Sequence, residues 1–109
     1  MGSNKKFVRE AFRNAVFKRD KYKCVKCPFQ SSAEKCRDDL DAHHIQNRTL
    51  MPQQGYVEEN GVTLCKECHE KAEAFHSTGT AIPGYSVEEL FLVIGSSLEK
   101  ATKACERLK

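Results

Sequence analysis

Apolar residues recur at helical spacing near the start of the chain. Residues 5–20 carry them at positions three and four apart, which is typical of an amphipathic helix with one buried face. Charged side chains fill the other faces of the predicted helix. The apolar positions are Phe7, Val8, Ala11, Phe12, Ala15 and Val16.

A period of two marks two short segments in the middle of the chain. Residues 40–45 and 62–64 are predicted to be strands, and Asn60-Gly61 is a turn signal just before the second one. Residues 66–76 return to a helical pattern. We expect loops over residues 29–39 and 46–59.

The C-terminal third begins with a breaker-rich linker over residues 78–85, followed by a predicted helix over residues 86–108. Ser86 and Glu89 have the spacing of a capping box at the start of this helix. Its apolar stripe either covers the core of the domain or forms a dimer seam. The stripe consists of Phe91, Ile94, Leu98, Ala101, Cys105 and Leu108.

A chain of 109 residues makes one small domain with a marginal core, so an additional staple such as a bound metal is expected. The longest apolar run, residues 90–94, is too short to span a bilayer, and the first residues lack a secretory pattern. We therefore expect a cytoplasmic protein that is not inserted in a membrane.

The charge is unevenly distributed along the chain. The formal net charge is only +3, but Glu10 and Asp20 are the sole acids among the many Lys and Arg residues of 5–26. Such a segment is either a phosphate-facing surface or a solvated helix face, and both interpretations stay open. The candidate nucleic-acid-binding residues are Arg9, Arg13, Lys18, Arg19, Lys21 and Lys23.

Six cysteines without a secretory signal favour metal binding over disulfides. Four of them form two pairs, Cys24-x-x-Cys27 and Cys65-x-x-Cys68, about forty residues apart. Four thiolates close a tetrahedral zinc site that has no open position for chemistry, so we predict a structural zinc ion. The alternative is four reduced core cysteines. The two cysteines outside the pairs are Cys36 and Cys105, the latter expected to be a buried apolar side chain.

From residue 24 to residue 76 the chain resembles the HNH endonucleases. The resemblance rests on the first cysteine pair, then His43-His44 in the predicted strand, then Asn60 before the second strand and Cys68-His69 after it. It implies a ββα-metal fold, in which two strands feed a helix around one divalent ion. The expected fold is therefore α+β: a small HNH domain with a four-cysteine zinc site, over residues 5–77, flanked by an N-terminal and a C-terminal helix.

The resemblance also implies roles for individual residues. His44 matches the general base, His43 and His69 match metal ligands, and Asn60 matches the residue that orients the base. The family often has a further histidine four positions after His69. Here that position is Glu73, which could ligate through oxygen.

Two further side chains remain open. Asp41 is either an acceptor for a histidine N–H or a surface acid at the start of a strand. His76 lies on the helix face of His69 and is either structural or part of the site. Because adjacent strand residues point to opposite faces, His43 and His44 suit one ligand and one base.

The activity implied by the resemblance is hydrolysis of DNA phosphodiester bonds, leaving 5′-phosphate and 3′-hydroxyl ends. His44 would activate water, since imidazole titrates near physiological pH. A divalent ion such as Mg²⁺, Mn²⁺, Ni²⁺ or Zn²⁺ would stabilise the phosphorane and the 3′-oxygen leaving group. One site makes one nick, so a double-strand break would need a homodimer or another assembly partner. The alternatives are a non-catalytic zinc-stapled DNA- or protein-binding module and an assembly component with a degenerate site.

Overall fold

The computed structural model describes residues 2–107, with side chains from residue 6 onward. It has a small α+β fold, as predicted, with the strand–strand–helix order of a ββα unit. The elements are α1 (Gly2–Arg19), α2 (Cys36–Asp39), β1 (Leu40–His44), β2 (Gly61–Cys65), α3 (Lys66–Thr78), α4 (Val87–Val93) and α5 (Leu98–Glu106). None of these helices is long and apolar enough to cross a membrane.

The two strands form an antiparallel hairpin whose register sets the positions of the histidines. Leu40 pairs with Cys65, His43 with Val62, and His44 with Gly61. Both strands are found where the sequence predicts them, although β1 ends at His44 and β2 is one residue longer at each end. The connection between them, residues 46–59, contains short 3-10 turns rather than a long irregular loop.

Helix α1 packs across the hairpin through Phe12, Val16 and Phe17, all of which are buried. The predicted helix is confirmed, but its predicted apolar stripe is wrong at Phe7, whose side chain is 73% exposed, and at Ala11, which is also exposed. The reason is that the buried part of α1 is centred where the helix crosses the strands, and Phe7 lies before that crossing. Residues 29–39 likewise differ from the expected loop, because α2 lies within them.

The predicted helix over residues 86–108 is wrong as a single element. The capping box of Ser86 and Glu89 is present, but α4 ends in a left-handed residue, Gly95, with φ 68°. The Ser96 N–H donates to the Phe91 carbonyl at 2.9 Å, which is the bond of a Schellman motif.

The second helix then starts at once, because the Ser97 side chain accepts from the Lys100 N–H at 3.1 Å. Of the predicted apolar stripe, Phe91, Ala101 and Cys105 are buried, and α5 packs on the turns of residues 52–55 and 58–60. These three residues therefore cover the core. Leu108 lies outside the described residues.

Gly61 allows the close approach between α1 and the hairpin. A Cβ atom at this position would lie 2.5 Å from the Val16 side chain and 2.7 Å from that of Phe12. Gly61→Ala is therefore expected to lower the free energy of unfolding by about 1–3 kcal/mol, measured by urea denaturation, since a packed core does not absorb an extra methyl group. Val16→Ala should cost less in the Gly61→Ala background than alone, because it makes room. Strictly additive effects of the two changes would contradict this steric account.

Candidate active site and metal centres

Four thiol groups meet at the end of the hairpin. The Sγ atoms of Cys24, Cys27, Cys65 and Cys68 lie within 4.8 Å of one another, and Cys27 and Cys65 are 3.6 Å apart. Zn–S bonds of about 2.3 Å in a tetrahedron place sulfur atoms about 3.8 Å apart. The donor set and its spacing therefore fit one metal ion held by four thiolates.

Two separate parts of the backbone position the cysteine pairs of this cluster. After α1 the chain turns sharply through Lys21 and Tyr22, which both have positive φ. The Val25 N–H then donates to the Thr63 carbonyl at 3.1 Å, so the first cysteine pair is bonded to β2. Of the second pair, Cys65 is the last residue of β2 and Cys68 lies in the first turn of α3.

The electrostatics of the cluster also favour a cation. Burial first, and then the nearby sulfur atoms of Cys65 and Cys24, raise the pKa of Cys68 to about 12. Four thiolates at these separations would repel one another strongly without a compensating positive charge. A bound metal ion supplies that charge.

Tyr85, in the predicted linker, contacts the thiol cluster from outside. Its hydroxyl donates to the Cys68 Sγ at 3.4 Å. The Nζ atoms of Lys26 and Lys71 lie 5.2 and 5.9 Å from the centre of its ring. The tyrosine therefore joins the C-terminal segment to the sulfur cluster, and its sequence position gave no signal for this contact.

A second cluster lies on the α3 side of the hairpin and consists of His43, His69 and Glu73. Glu73 Oε2 is 3.1 Å from His43 Nδ1 and 3.3 Å from His69 Nε2. Two ligands bound at about 2.1 Å to one ion, at angles of about 95–105°, have this separation. The structure thus brings together the three residues that the sequence analysis names as ligands.

The protonation states suit a divalent ion. Burial lowers the pKa of His43, while the adjacent His43 ring lowers the pKa of Glu73 to about 2. A neutral imidazole therefore faces a carboxylate. Although the two atoms are close, His43 Nδ1 makes no hydrogen bond in the described part of the chain. An ion between these atoms would satisfy both lone pairs.

Asp41 fixes the orientation of one proposed ligand. Its Oδ2 lies 3.1 Å from His69 Nδ1, while its Oδ1 accepts from Lys66 Nζ at 3.1 Å. A carboxylate on the far nitrogen of a ligand histidine sets the tautomer of the ring. Of the two interpretations of Asp41, the geometry favours the histidine partner.

His44 lies on the α1 side of the strand. Its ring stacks on Phe12 with centroids 4.6 Å apart, and Tyr56 meets it edge-on at 4.7 Å. Its buried Nε2 makes no hydrogen bond among residues 6–107. Burial first, and then the proximity of the His43 ring and of the Arg48 guanidinium, lowers the pKa of His44 to about 4, which differs from the near-neutral value expected from the sequence. The ring is therefore neutral at physiological pH.

Asn60 acts on the backbone rather than on the ring of His44. Its buried side chain accepts from the Gln46 N–H at 2.9 Å and donates to the carbonyls of Gln46 and Gly55. The amide thus holds together both ends of the turn region that follows β1. Any influence on His44 passes through this backbone, unlike the orienting role implied by the resemblance.

His76 completes the histidine group. Its ring stacks on His43 at 5.4 Å, and its Nε2 is 3.3 Å from the His44 carbonyl oxygen. It belongs to the site but lies outside the compact set of three ligand atoms. A supporting role next to His43 fits this position.

A cavity of about 340 Å³ lies between the proposed base, His44, and the cluster of His43, His69 and Glu73. It is lined by His43, His44, His69, Glu73 and His76, and also by Arg48, which sequence reasoning missed. In the sequence, the only indication that Arg48 could reach the cavity was its position four residues after His44.

The predicted basic residues divide into three groups. Arg9 and Arg13 line a cavity beside His44. Lys21 and Lys23 lie instead beside the thiol cluster, while Lys18 is exposed on α1.

Arg19 does not remain available for a nucleic acid. Its guanidinium donates to the Asp20 carboxylate and to the carbonyls of Glu58 (2.6 Å) and Gly61 (2.7 Å). These bonds tie the end of α1 to the start of β2. These internal bonds favour a structural role for Arg19 over the predicted contact with a nucleic acid.

Comparison with known families agrees with this geometry. Residues 24–75 match the family model of the HNH endonucleases. Searches of curated proteins and of solved structures gave no match. The segment from Cys24 to Phe75 is thus similar to an HNH endonuclease domain, and α1, α4 and α5 lie outside the matched residues.

The thiol cluster leads us to predict that the metal content of the protein depends on Cys68. Cys68→Ser should lose the bound metal and melt at a lower temperature, because an incomplete ligand set binds the ion weakly. Cys36→Ser is the matched control, since Cys36 is also buried but lies outside the cluster. Elemental analysis and thermal melting measure both effects. Equal metal content in the two variants would contradict the assignment.

Tyr85 is expected to slow the release of that metal. Tyr85→Phe removes only the hydroxyl that donates to Cys68, so the fold should persist while metal transfer to a chromogenic chelator becomes about 10-fold faster. Tyr22→Phe serves as a control tyrosine outside the cluster. Unchanged release from Tyr85→Phe would show that the contact does not protect the sulfur atom.

Proposed function

We propose that the protein is a metal-dependent endonuclease that hydrolyses DNA phosphodiester bonds. The observation that carries the proposal is the pairing of a three-ligand cluster with a neutral, unpaired histidine at one cavity. Hydrolysis of a phosphodiester needs a bound cation, a proton acceptor and room for a phosphate beside both. The HNH family match supports the same reaction class.

His44 is the proposed general base. Its unpaired Nε2 takes a proton from the attacking water, and its stacking on Phe12 holds the ring in one orientation. The backbone that follows the His44 Cα atom is held by His76 at the His44 carbonyl and by Asn60 at Gln46. Asn60 and His76 are thus positioning residues.

The proposed ligands of the catalytic ion are His43, His69 and Glu73. When bound there, a divalent ion supplies positive charge to the phosphorane and to the 3′-oxygen leaving group. A set of two imidazoles and one carboxylate suits Mn²⁺, Ni²⁺, Co²⁺ or Zn²⁺ and tolerates Mg²⁺. For the four-thiolate site the proposed ion is Zn²⁺, because sulfur ligands in a tetrahedron favour it.

Sequence-nonspecific nicking is the proposed outcome. The arginines beside the cavity recognise phosphate groups, which are the same for every sequence. One site cuts one strand, so a double-strand break would require two copies of the chain or a partner. The remaining alternative is a non-catalytic zinc-stapled module that binds DNA or protein.

The proposal predicts separate effects for the base and for a ligand. With metal-depleted protein resupplied with Mg²⁺, Mn²⁺, Ni²⁺ or Zn²⁺, we expect ion-dependent nicking of supercoiled plasmid. His44→Ala should reduce the nicking rate about 10²–10⁴-fold at saturating ion, the usual contribution of a general base. Glu73→Gln should instead raise the ion concentration needed for half-maximal activity.

Folding and background cleavage need their own controls. Circular dichroism and the content of thiolate-bound metal should be unchanged in both variants, and Lys103→Gln, on the exposed side of α5, should nick normally. Nicking by His44→Ala at the normal rate would refute the base assignment. Binding of DNA without nicking under any ion would favour the non-catalytic module.

A further inference from the structure

A second cavity lies on the α1 side of His44 and has a volume of about 280 Å³. It shares His44, Ala42 and Arg48 with the cavity of the metal cluster, so the two adjoin across the proposed base. The small Ala42 side chain forms part of the floor of both. We call this second cavity the arginine pocket, defined by Arg9, Phe12, Arg13, Arg48 and Tyr56.

The lining of the arginine pocket contains three guanidinium groups and no acidic side chain. Arg48 donates one N–H to the Tyr56 hydroxyl at 2.6 Å, which leaves the other N–H groups of its guanidinium available to bind an anion. Arg9 lies 6.0 Å from the centre of the Tyr56 ring and forms no ion pair among residues 6–107.

Only one of the three arginines has an acidic partner. Arg13 pairs with Glu10 at 3.5 Å, and both side chains are about 40% exposed. An ion pair so open to solvent contributes little and can be exchanged for another anion. The pocket therefore has an excess of positive charge that the side chains of residues 6–107 do not neutralise.

We propose that the arginine pocket binds the phosphate group adjacent to the scissile one along the same strand. The inference rests on the proposed function and deepens it: the substrate is a polynucleotide strand with at least two successive phosphates. One phosphate lies at the metal cluster and its neighbour lies between the arginines. His44 then stands between the two binding positions.

The aromatic residues argue for a phosphate and against a stacked base. The Phe12 face is covered by the His44 ring, and Tyr56 packs edge-on against both Phe12 and His44. Arg9 covers a face of the Tyr56 ring. Because these faces are occupied, the rings form walls of the pocket rather than stacking surfaces. The remaining available groups are N–H donors in the planar fork that matches phosphate oxygens.

The proposal separates substrates with one phosphate from those with several. Arg48→Gln removes the charge but keeps an exposed polar side chain, so the fold should persist. Because Arg48 also lines the cavity of the proposed catalytic ion, we expect kcat/KM to fall on both substrates, but about 10-fold more on a DNA oligonucleotide than on bis(p-nitrophenyl) phosphate, which has a single phosphodiester. Arg107→Gln, an equal charge loss at the exposed end of α5, should change neither.

Opposite results would overturn the proposal. An equal loss on both substrates would mean that Arg48 acts at the scissile phosphate itself. No loss on either substrate would mean that the pocket does not take part in binding. An RNA oligonucleotide of the same sequence tests the source of the phosphates, and an equal effect of Arg48→Gln on RNA and DNA is expected.

Binding provides a readout that does not depend on catalysis. For a fluorescent oligonucleotide without added divalent ion, the plot of log affinity against log salt concentration should lose about 0.7–0.9 of its slope in Arg48→Gln, the value of one phosphate contact. Arg107→Gln should keep the full slope. An unchanged slope in Arg48→Gln would refute the pocket even in an active enzyme. A reduced slope in a protein that hydrolyses neither substrate would uphold the pocket and reject the endonuclease.

Discussion

The four-thiolate cluster is the constraint on which the rest of this domain depends. It joins the turn after α1 to the junction of β2 and α3, two parts of the chain about forty residues apart. Closing such a loop is entropically costly in a domain with a small core, and an ion bound by the four sulfur atoms would offset that cost. Because Cys65 pairs with Leu40 across the hairpin, the same junction sets the register that brings His43 opposite Val62. It also sets the start of α3, from which His69 and Glu73 project toward His43.

The two adjacent histidines are buried in different chemical environments. His43 lies against the helix that carries His69 and Glu73, whereas His44 lies between the rings of Phe12 and Tyr56. Both are held neutral by loss of solvation, but only His43 faces a carboxylate. Alternation along one strand is thus sufficient to separate the proposed ligand His43 from the proposed base His44. The packing of α1, made possible by Gly61, closes the His44 side of this arrangement.

Sequence patterns predicted the parts of the structure that local chemistry determines. The hairpin, the cysteine pairs and the Ser86–Glu89 capping box follow from period, spacing and hydrogen-bonding capacity within a few residues. The break at Gly95 was also encoded locally, as a C-terminal glycine followed by the N-cap Ser97, but the heptad-like stripe across it suggested continuity. The internal bonds of Arg19, and the positions of Arg48 and Tyr85, depend on contacts between distant segments. No pattern along the chain could have revealed them. The roles of the individual site residues remain predictions: the geometry favours them for the three ion ligands and for His44, but not for Arg19 or for Asn60 as a direct partner of the His44 ring.

The C-terminal helices, which lie outside the matched HNH segment, stabilise the candidate site from outside. Ser96 donates to the Glu59 carbonyl at 2.9 Å, and the buried Ala101 and Cys105 lie on the helix that packs on the turns of residues 52–55 and 58–60. Those turns contain Gly55 and Asn60, whose hydrogen bonds hold the backbone after His44. At the other end of the same segment, Tyr85 contacts the thiol cluster. A ββα unit of two five-residue strands and one helix buries too little apolar surface to fix such a loop by itself. The C-terminal segment therefore stabilises both the thiol cluster and the loop beside the proposed base, and so it holds the HNH segment rigid at the two places on which the proposed chemistry would depend.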